Sequence, residues 1–415
     1  MKDKKLIIII AVLVLILIGM IVIAVVPFGN KNDSNNTNST TKTEENLDLN
    51  IEYSTDEKDS NWKDEDYTDV VLTESLNITK AGTYHITGTI ENGSITINVG
   101  DEDIVKLILD NVSVTNQNGS AIYVENADKV IITLADGTTN TITDGGTDEE
   151  IDGCIYSKDD LVINGSGTLN IVANNADGIV GKDDLKIYEA KINVTANDDG
   201  IRGKDSLEIK DSTINLNVKQ DGLKATEDTD TSKGYIVIEN SNIEIEAGDD
   251  GMHAETDLKI SGGTYKITAG DDAIHANGML QIDDGTFNIK AAEGLEATYV
   301  KINGGTINIE ASDDGINAGN KSDSYAVTIE VNGGNITINM GQGDTDGIDS
   351  NGNLYINGGT INITGNSPFD YDGKAEYNGG TLIVNGTQTN TITNQMMGGG
   401  MNGGMQQGGG MQRMH

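Results

Sequence analysis

From about residue 66 to residue 393 the chain is written in short runs of alternating apolar and polar positions, each run ended by Gly, Asn or Asp. Met252 and Ala254, then Leu258 and Ile260, then Tyr265 and Ile267 make up one unit, and glycine pairs such as Gly262-Gly263 and Gly304-Gly305 mark corners. A period of two within such short runs predicts strands, and no stretch after residue 66 carries a helical period.

The units repeat. Asp-Gly-Ile-Val-Gly begins at Asp177, Asp-Asp-Gly-Ile-Arg-Gly at Asp198, Asp-Gly-Leu-Lys-Ala at Asp221 and Asp-Asp-Gly-Met-His-Ala at Asp249. Asp-Asp-Ala-Ile-His-Ala follows at Asp271, Glu-Gly-Leu-Glu-Ala at Glu293, Asp-Asp-Gly-Ile-Asn-Ala at Asp313 and Asp-Gly-Ile-Asp-Ser at Asp346. The shared Gly or Ala falls at 178, 200, 222, 251, 273, 294, 315 and 347, so the base spacing is 21 to 22 residues, lengthened by polar insertions at Glu227 to Lys233 and Gly319 to Ser324. Gly119 and Gly153 continue a looser version upstream, and Gly373 marks its expected last trace.

Three short strands in about 22 residues make one coil of a three-sided parallel β-helix, an all-β solenoid whose core forms by stacking like positions about 4.8 Å apart. Leucine-rich repeats lack a match in the Leu/Asn frame, and a nine-residue calcium-toxin repeat has the wrong period. Small aliphatic residues suit a narrow bore, which explains how 415 residues manage with 3 Phe and 1 Trp.

Composition narrows the function. The formal net charge is -39, from 27 Lys and Arg against 66 Asp and Glu, so a phosphate backbone would be repelled and nucleic acid is excluded as a partner. A single cysteine, Cys154, excludes a disulfide framework, and it reads as a small buried hydrophobe.

The N-terminus sets the expected compartment. Leu6 to Val26 is an apolar run of 21 residues preceded by Lys2, Lys4 and Lys5, about 32 Å as a helix and long enough to span a bilayer core. The positive-inside bias places everything beyond Pro27 outside the cell, with a cleaved signal peptide as the rival reading. The expected organisation is a transmembrane anchor over 1–28, a flexible polar linker over 29–65, the β-helix over 66–393 and a disordered Gly/Met-rich tail over 394–415. Met396, Met397, Met401, Met405, Met411, Met414 and His415 in that tail suit Cu(I), although such low-complexity sequence is more often an interaction tail.

The run Ala121-Ile122-Tyr123-Val124 through Asp136-Gly137-Thr138-Thr139-Asn140, the segment Ser157 to Leu169, and the Asp-Asp-Gly-Ile-x-Gly/Ala units closely resemble a clostridial family of calcium-containing right-handed β-helix carbohydrate-binding proteins. The likeness spans about residues 66 to 393. It implies a right-handed coil, bound calcium, and acidic plant polysaccharide such as polygalacturonate as the partner of a cell-surface protein; the ectodomain itself is expected to be monomeric.

The acidic corners carry the candidate chemistry. Asp198-Asp199, Asp249-Asp250, Asp271-Asp272 and Asp313-Asp314 are expected to stack into carboxylate ladders, and hard oxygen ligands at that spacing select Ca²⁺. The alternative is that Asp precedes Gly for turn chemistry alone. A second stripe lies two positions after the Gly/Ala: Val180, Arg202, Lys224, His253, His275, Glu296, Asn317 and Asp349. Its cations are expected to meet polyuronate carboxylates, or else to neutralise neighbouring Asp residues. Tyr299, Tyr355, Phe369, Tyr371 and Tyr377 are the aromatic candidates for sugar stacking, and Ser367 to Tyr377 reads as an end cap. An acidic pair copied into coil after coil is unlike a singular catalytic centre, so the expectation is a binding protein and not a lyase or hydrolase. A structural or adhesive surface solenoid is the alternative.

Overall fold

The computed structural model describes residues 46–146, 150–341 and 345–395. The apolar run Leu6–Val26 and the Met-rich tail lie outside those residues, and no helix among the described ones is long and apolar enough to cross a membrane.

From Tyr67 onward the chain winds as a parallel solenoid in which each coil contributes a strand to each of three stacks. Sheet one runs from Leu76–Ile78 to Ser367–Tyr371, sheet two from Tyr67–Leu72 to Ala375–Tyr377, and sheet three from residues 88–90 to Thr381–Val384. Pairing is parallel throughout these stacks, with Ile155 opposite Ile179, Ile179 opposite Ile201 and Ile201 opposite Leu223. Because period-two alternation sends every second side chain inward, that stack continues through Met252, Ile274, Leu295, Ile316, Ile348 and Phe369. All are 0 to 1% exposed, and each contributes about 1.5–3 kcal/mol of burial. Tyr265 and Phe287 stack inside the same core at 4.6 Å, with ring planes 9° apart.

The Gly/Ala column sits where the chain enters sheet one. A Cβ built on Gly200 would lie 2.5 Å from the Gly222 carbonyl oxygen, so the coil spacing itself selects the smallest residues there. Upstream, the register departs from expectation. Asp177 pairs with Gly153, which makes Cys154, not Gly153, the partner of Gly178. Ala121 then replaces Gly119, and downstream Pro368 replaces Gly373, which instead belongs to the corner of Gly352. Cys154 is fully buried, and that burial pushes its thiol well above the ordinary range.

Two further expectations change. Ser367 to Tyr377 is not a cap but the last coil. The end is closed by Thr381–Val384 turning back antiparallel onto Thr387–Thr389, and the Gln395 N–H then donates to Phe369 O at 2.9 Å.

The second change concerns the expected linker. Residues 46–65 are packed along sheet two, crossing its coils in reverse order. The Leu47 N–H donates to Gln281 Oε1 at 2.8 Å and Lys259 Nζ to Leu49 O at 2.8 Å. Tyr53 Oη donates to Ile187 O at 2.9 Å, and Trp62 stacks on His85 at 4.5 Å. Helix α1 (Thr55–Lys58) is fixed by a capping box between Ser54 and Glu57. The Glu57 carbonyl accepts from Asn164 Nδ2 at 2.8 Å, and its carboxylate from Lys129 Nζ at 2.6 Å. The outward residues of sheet two supply side-chain donors and a buried apolar track, Ile131, Val162 and Val237, so a polar segment gains enough contacts to dock.

Candidate functional site: the outward column of sheet one

The corner residue just before each Gly/Ala forms one continuous column: Asp177, Asp199, Asp221, Asp250, Asp272, Glu293, Asp314 and Asp346. Five of its Asp carboxylates are held by the backbone of the neighbouring coil. The Asp199 N–H donates to Asp177 Oδ1 at 3.0 Å, Asp221 to Asp199 at 3.0 Å, Asp250 to Asp221 at 2.9 Å, Asp272 to Asp250 at 2.9 Å and Asp346 to Asp314 at 3.0 Å. The predicted acidic pairs therefore split. Asp199, Asp250 and Asp272 are buried and Asp314 half-buried in the column, whereas Asp249, Asp271 and Asp313 are exposed and Asp198 half-buried beside it. The turn places only the second carboxylate under the next coil's amide.

With one oxygen bound to backbone, the other faces the stripe two residues after the Gly/Ala, and the partner there changes along the axis. Arg202 donates to Asp177 Oδ2 at 2.6 Å and to Asp152 Oδ2 at 2.7 Å, and Lys224 pairs with Asp221 at 2.7 Å and Asp199 at 3.3 Å. These cations are not a free basic strip for a polyanion; they neutralise their own column. Burial lowers the tendency of Arg202 to stay charged, but Asp177 and Asp152 more than offset it, and Lys224 is likewise held well above its usual value by Asp199 and Asp221 against the effect of burial. The stripe is also less open than a solvent-facing strand, since Val180, His275 and Glu296 are buried.

In the next coils His253 Nδ1 lies 2.8 Å from Asp250 Oδ2, and His275 Nδ1 lies 2.7 Å from Asp272 Oδ2 and 2.8 Å from Glu296 Oε2. Asn317 Nδ2 donates to Glu293 Oε2 at 2.9 Å and Glu296 Oε1 at 3.0 Å, while its buried Oδ1 has no hydrogen-bond partner. Beyond it the stripe turns acidic, with Asp349 and Asp370 in register. Among the described residues no cationic side chain forms an ion pair with Asp314, Asp349 or Asp370. Burial, with Asp349, Asp313 and Asp346 nearby, pushes the Asp314 carboxyl up to about 7. Asp349 rises to about 7 through burial and the charges of Asp370, Asp346 and Asp372.

The column thus offers three different environments for a cation. Around Asp177, Asp199 and Asp221, Arg202 and Lys224 already supply positive charge, although Asp221, Asp249 and Asp250 also bring three carboxylate oxygens within 4.8 Å of one another. The middle is a mixed nitrogen and oxygen set. Asp314, Asp349 and Asp370 supply only oxygen donors beside the orphaned Asn317 Oδ1, with no cationic side chain paired to them among the described residues.

Two features escaped the sequence reading. Tyr123 and Tyr156 open the same stripe, 6.0 Å apart, with Lys158 and Lys182 over their faces at 5.5 and 5.7 Å. The corrected register at Cys154 is the signal that would have found them. The two polar insertions also flank a cleft of about 260 Å³ beside the stripe, lined by Asp228, Thr231, Glu255, Asp257, Asn277 and Tyr325. Its Lys321 reaches Glu296 Oε1 at 2.8 Å, and Tyr325 donates to Asp257 Oδ2 at 2.9 Å. Of the aromatic candidates, Phe369 is core, Tyr299 is buried with its hydroxyl on Glu330, Tyr377 donates to Gly380 O at 2.7 Å, and Tyr355 and Tyr371 are half-buried.

A family model described as "Carbohydrate-binding domain-containing protein" matches residues 73–273 and 271–396. The chain belongs to this family. A carbohydrate-binding domain-containing protein of Acetivibrio thermocellus is 34% identical over 128 residues, which cover 29% of this chain and 45% of that relative. The match therefore spans less than half of the relative's length. A solved structure, that of the polysaccharide lyase-like protein from C. thermocellum as a gadolinium derivative, is similar at 24% identity over 77% of this chain and 95% of its own, with a TM-score of 0.28. That score adds nothing to the fold derived from the strand pairing. For this carbohydrate-binding family member, the outward face of sheet one and the adjoining cleft form the candidate ligand surface.

Proposed function

We propose that this protein is a non-catalytic, extracellular binder of acidic polysaccharide, polygalacturonate-like, that meets its ligand along sheet one through calcium. We take the coil as right-handed, the hand that strand twist favours in parallel crossover connections, and the chain as tethered to the membrane by its N-terminal apolar run.

The observation that carries this reading is the uncompensated run of Asp314, Asp349 and Asp370 along sheet one, near the orphaned Asn317 Oδ1. A face this acidic repels a polyuronate unless a divalent ion bridges the two sets of carboxylates. Calcium held by these residues supplies that bridge and relieves their mutual repulsion. The cleft between the insertions, near the lower end of small-ligand site volumes of about 300 Å³, adds polar contacts for a sugar unit. The absence of catalysis is argued from Arg202 and Lys224: each is held charged by two carboxylates, which disfavours the neutral base a lyase requires.

The test is migration of the full chain through gels containing polygalacturonate, with Ca²⁺ and with chelator. Calcium-dependent retardation that is lost in the double variant Asp314→Asn, Asp349→Asn supports the reading. Absence of retardation, or retardation indifferent to chelator, overturns it.

A further inference from the structure

The middle of the column contains a donor set that calcium does not explain. Asp250 and His253 lie on one coil, Asp272 and His275 on the next, and Glu296 on the one after, in register along sheet one. The two imidazole rings stack at 4.6 Å with planes 9° apart. Donor atoms of Asp272, His275 and Glu296 lie within 4.8 Å of one another, as do those of Asp250, His253 and His275, so two three-donor groups share His275.

The hydrogen bonds around the rings decide what these atoms want. Asn277 Nδ2 donates to Glu255 Oε2 at 2.8 Å, which turns the amide oxygen of Asn277 toward His275 Nε2 at 3.1 Å. An amide oxygen only accepts, so the Nε2 nitrogen carries the proton. In neutral His275 the lone pair on Nδ1 then points at two carboxylate oxygens, Asp272 Oδ2 and Glu296 Oε2, at 2.7 and 2.8 Å. The approach of these three donors calls for a positive charge, either the proton of an imidazolium or a metal ion in its place. One proton on Nδ1 satisfies one carboxylate well, whereas a metal ion satisfies all three donors at once. The surrounding groups are arranged as they are around ligating histidines, whose second ring nitrogen is fixed by a carbonyl or carboxylate. Glu296 Oε1 is held by Lys321 and Asn317, which leaves Oε2 for the metal. His275, Asp272, Glu296 and Asp250 are buried, and half-buried His253 lies on the open side.

We propose that Asp272, His275 and Glu296, assisted by Asp250 and His253, bind one divalent transition-metal ion of the zinc class. Imidazole with carboxylate is a borderline donor set that selects Zn²⁺, Ni²⁺ or Cu²⁺, whereas Ca²⁺ takes six to eight oxygens and gains nothing from two ring nitrogens. The site is separate from the all-oxygen cluster at Asp314 and Asp349, so its failure leaves the calcium reading standing, and the reverse.

The experiment is titration of Zn²⁺ into the metal-free full chain at pH 7.5 by calorimetry, in the presence of excess Ca²⁺. Co²⁺ is used in parallel for its visible d–d absorption. One equivalent of Zn²⁺ is expected to bind, and His275→Gln to weaken it by at least about tenfold, the scale at which even supporting groups of a metal site act. His253→Gln, at the open side, tests the same site without disturbing the buried centre and is expected to weaken binding less and to alter the Co²⁺ spectrum. Circular dichroism checks that each variant is folded. Absence of Zn²⁺ binding, binding unchanged in both folded variants, or stoichiometric displacement of Zn²⁺ by Ca²⁺ overturns the proposal.

Discussion

Replacing Glu57 by Gln separates the docking of residues 46–65 from the stability of the solenoid. The Glu57 carboxylate is 3% exposed, with Lys129 Nζ on one oxygen at 2.6 Å and the Ser54 N–H on the other at 2.7 Å. Removing one charge from a fully buried pair costs about 3–5 kcal/mol. Here Lys129 is 21% exposed and keeps Asp160 at 3.9 Å, and a Gln side chain still accepts the capping hydrogen bond, so the loss falls to about 1–3 kcal/mol. At about 1.4 kcal/mol per factor of ten, that raises the undocked fraction roughly 5- to 150-fold. No strand of the solenoid is touched, so the opening is local. The assay is the rate of tryptic cleavage at Lys58 and Lys63 under native conditions, alongside amide exchange over residues 46–65. Faster cleavage with an unchanged thermal transition is the expected result. Cleavage within twofold of the parent rate would refute the claim that this ion pair fastens the segment.

Acid acts on the same contact. Burial raises the Glu57 carboxyl, but the hydrogen bonds from Lys129 and the Ser54 N–H bring it below the usual glutamate range. A depressed carboxylate stabilises above its unfolded pKa and loses that contribution as pH falls through the folded value, so the segment should release only in acid, below the ordinary glutamate range; proteolysis across an acid-to-neutral pH series checks this. Arg202→Ala leaves Asp177, 3% exposed, without its strongest partner, and should destabilise by about 3–5 kcal/mol. Thermal unfolding should drop accordingly, with retardation by polygalacturonate unchanged wherever the variant is folded. Gly200→Val forces a branched side chain against the Gly222 carbonyl and should cost at least about 1–3 kcal/mol, read from denaturant unfolding. Asp349→Asn removes one repelling carboxylate, so the metal-free protein should melt higher while calcium raises its melting temperature less than in the parent.

The coil was legible because its strongest constraint is steric and local. Wherever a Gly must pass beneath the next coil's carbonyl, as at Gly200 or Gly251, the spacing repeats and the aliphatic stack follows. That logic faltered upstream, where Ala121 and Cys154 occupy the column and the nearby Gly119 and Gly153 stand just before it, Gly153 opposite Asp177. The shift hid Tyr123 and Tyr156, which belong to the same stripe as Arg202. The docked segment was missed for a different reason. Its composition is that of a spacer, and the capping box Ser54-Thr55-Asp56-Glu57 is a four-residue signal with no apolar run behind it. Its partners, Lys129, Asn164, Ile187 and Gln281, are spread over many coils and share no sequence pattern.

The acidic pairs illustrate what a repeat conveys and what it leaves out. Repetition revealed that an Asp precedes the Gly in coil after coil, and the structure supplies a reason, since Oδ1 of Asp177, Asp199, Asp221, Asp250 and Asp314 accepts the next coil's amide. A backbone role shared by so many coils does not by itself encode a ligand. Whatever specificity this face has must reside in the residue that answers the second oxygen, and that stripe runs from Arg202 through Lys224, His253, His275 and Glu296 to Asn317, Asp349 and Asp370. Along this series the permanent positive charge supplied by the protein falls from a full guanidinium to none, while the column itself stays anionic. The acidic column is thus answered by arginine and lysine at one end and by imidazole and carboxylate in the middle, and has no permanent cationic partner at Asp314, Asp349 and Asp370 among the described residues. Exchanging the ends makes the argument testable: Asp349→Arg should abolish the calcium response while leaving the zinc stoichiometry at one, and a loss of both would mean that the face acts as one undivided site.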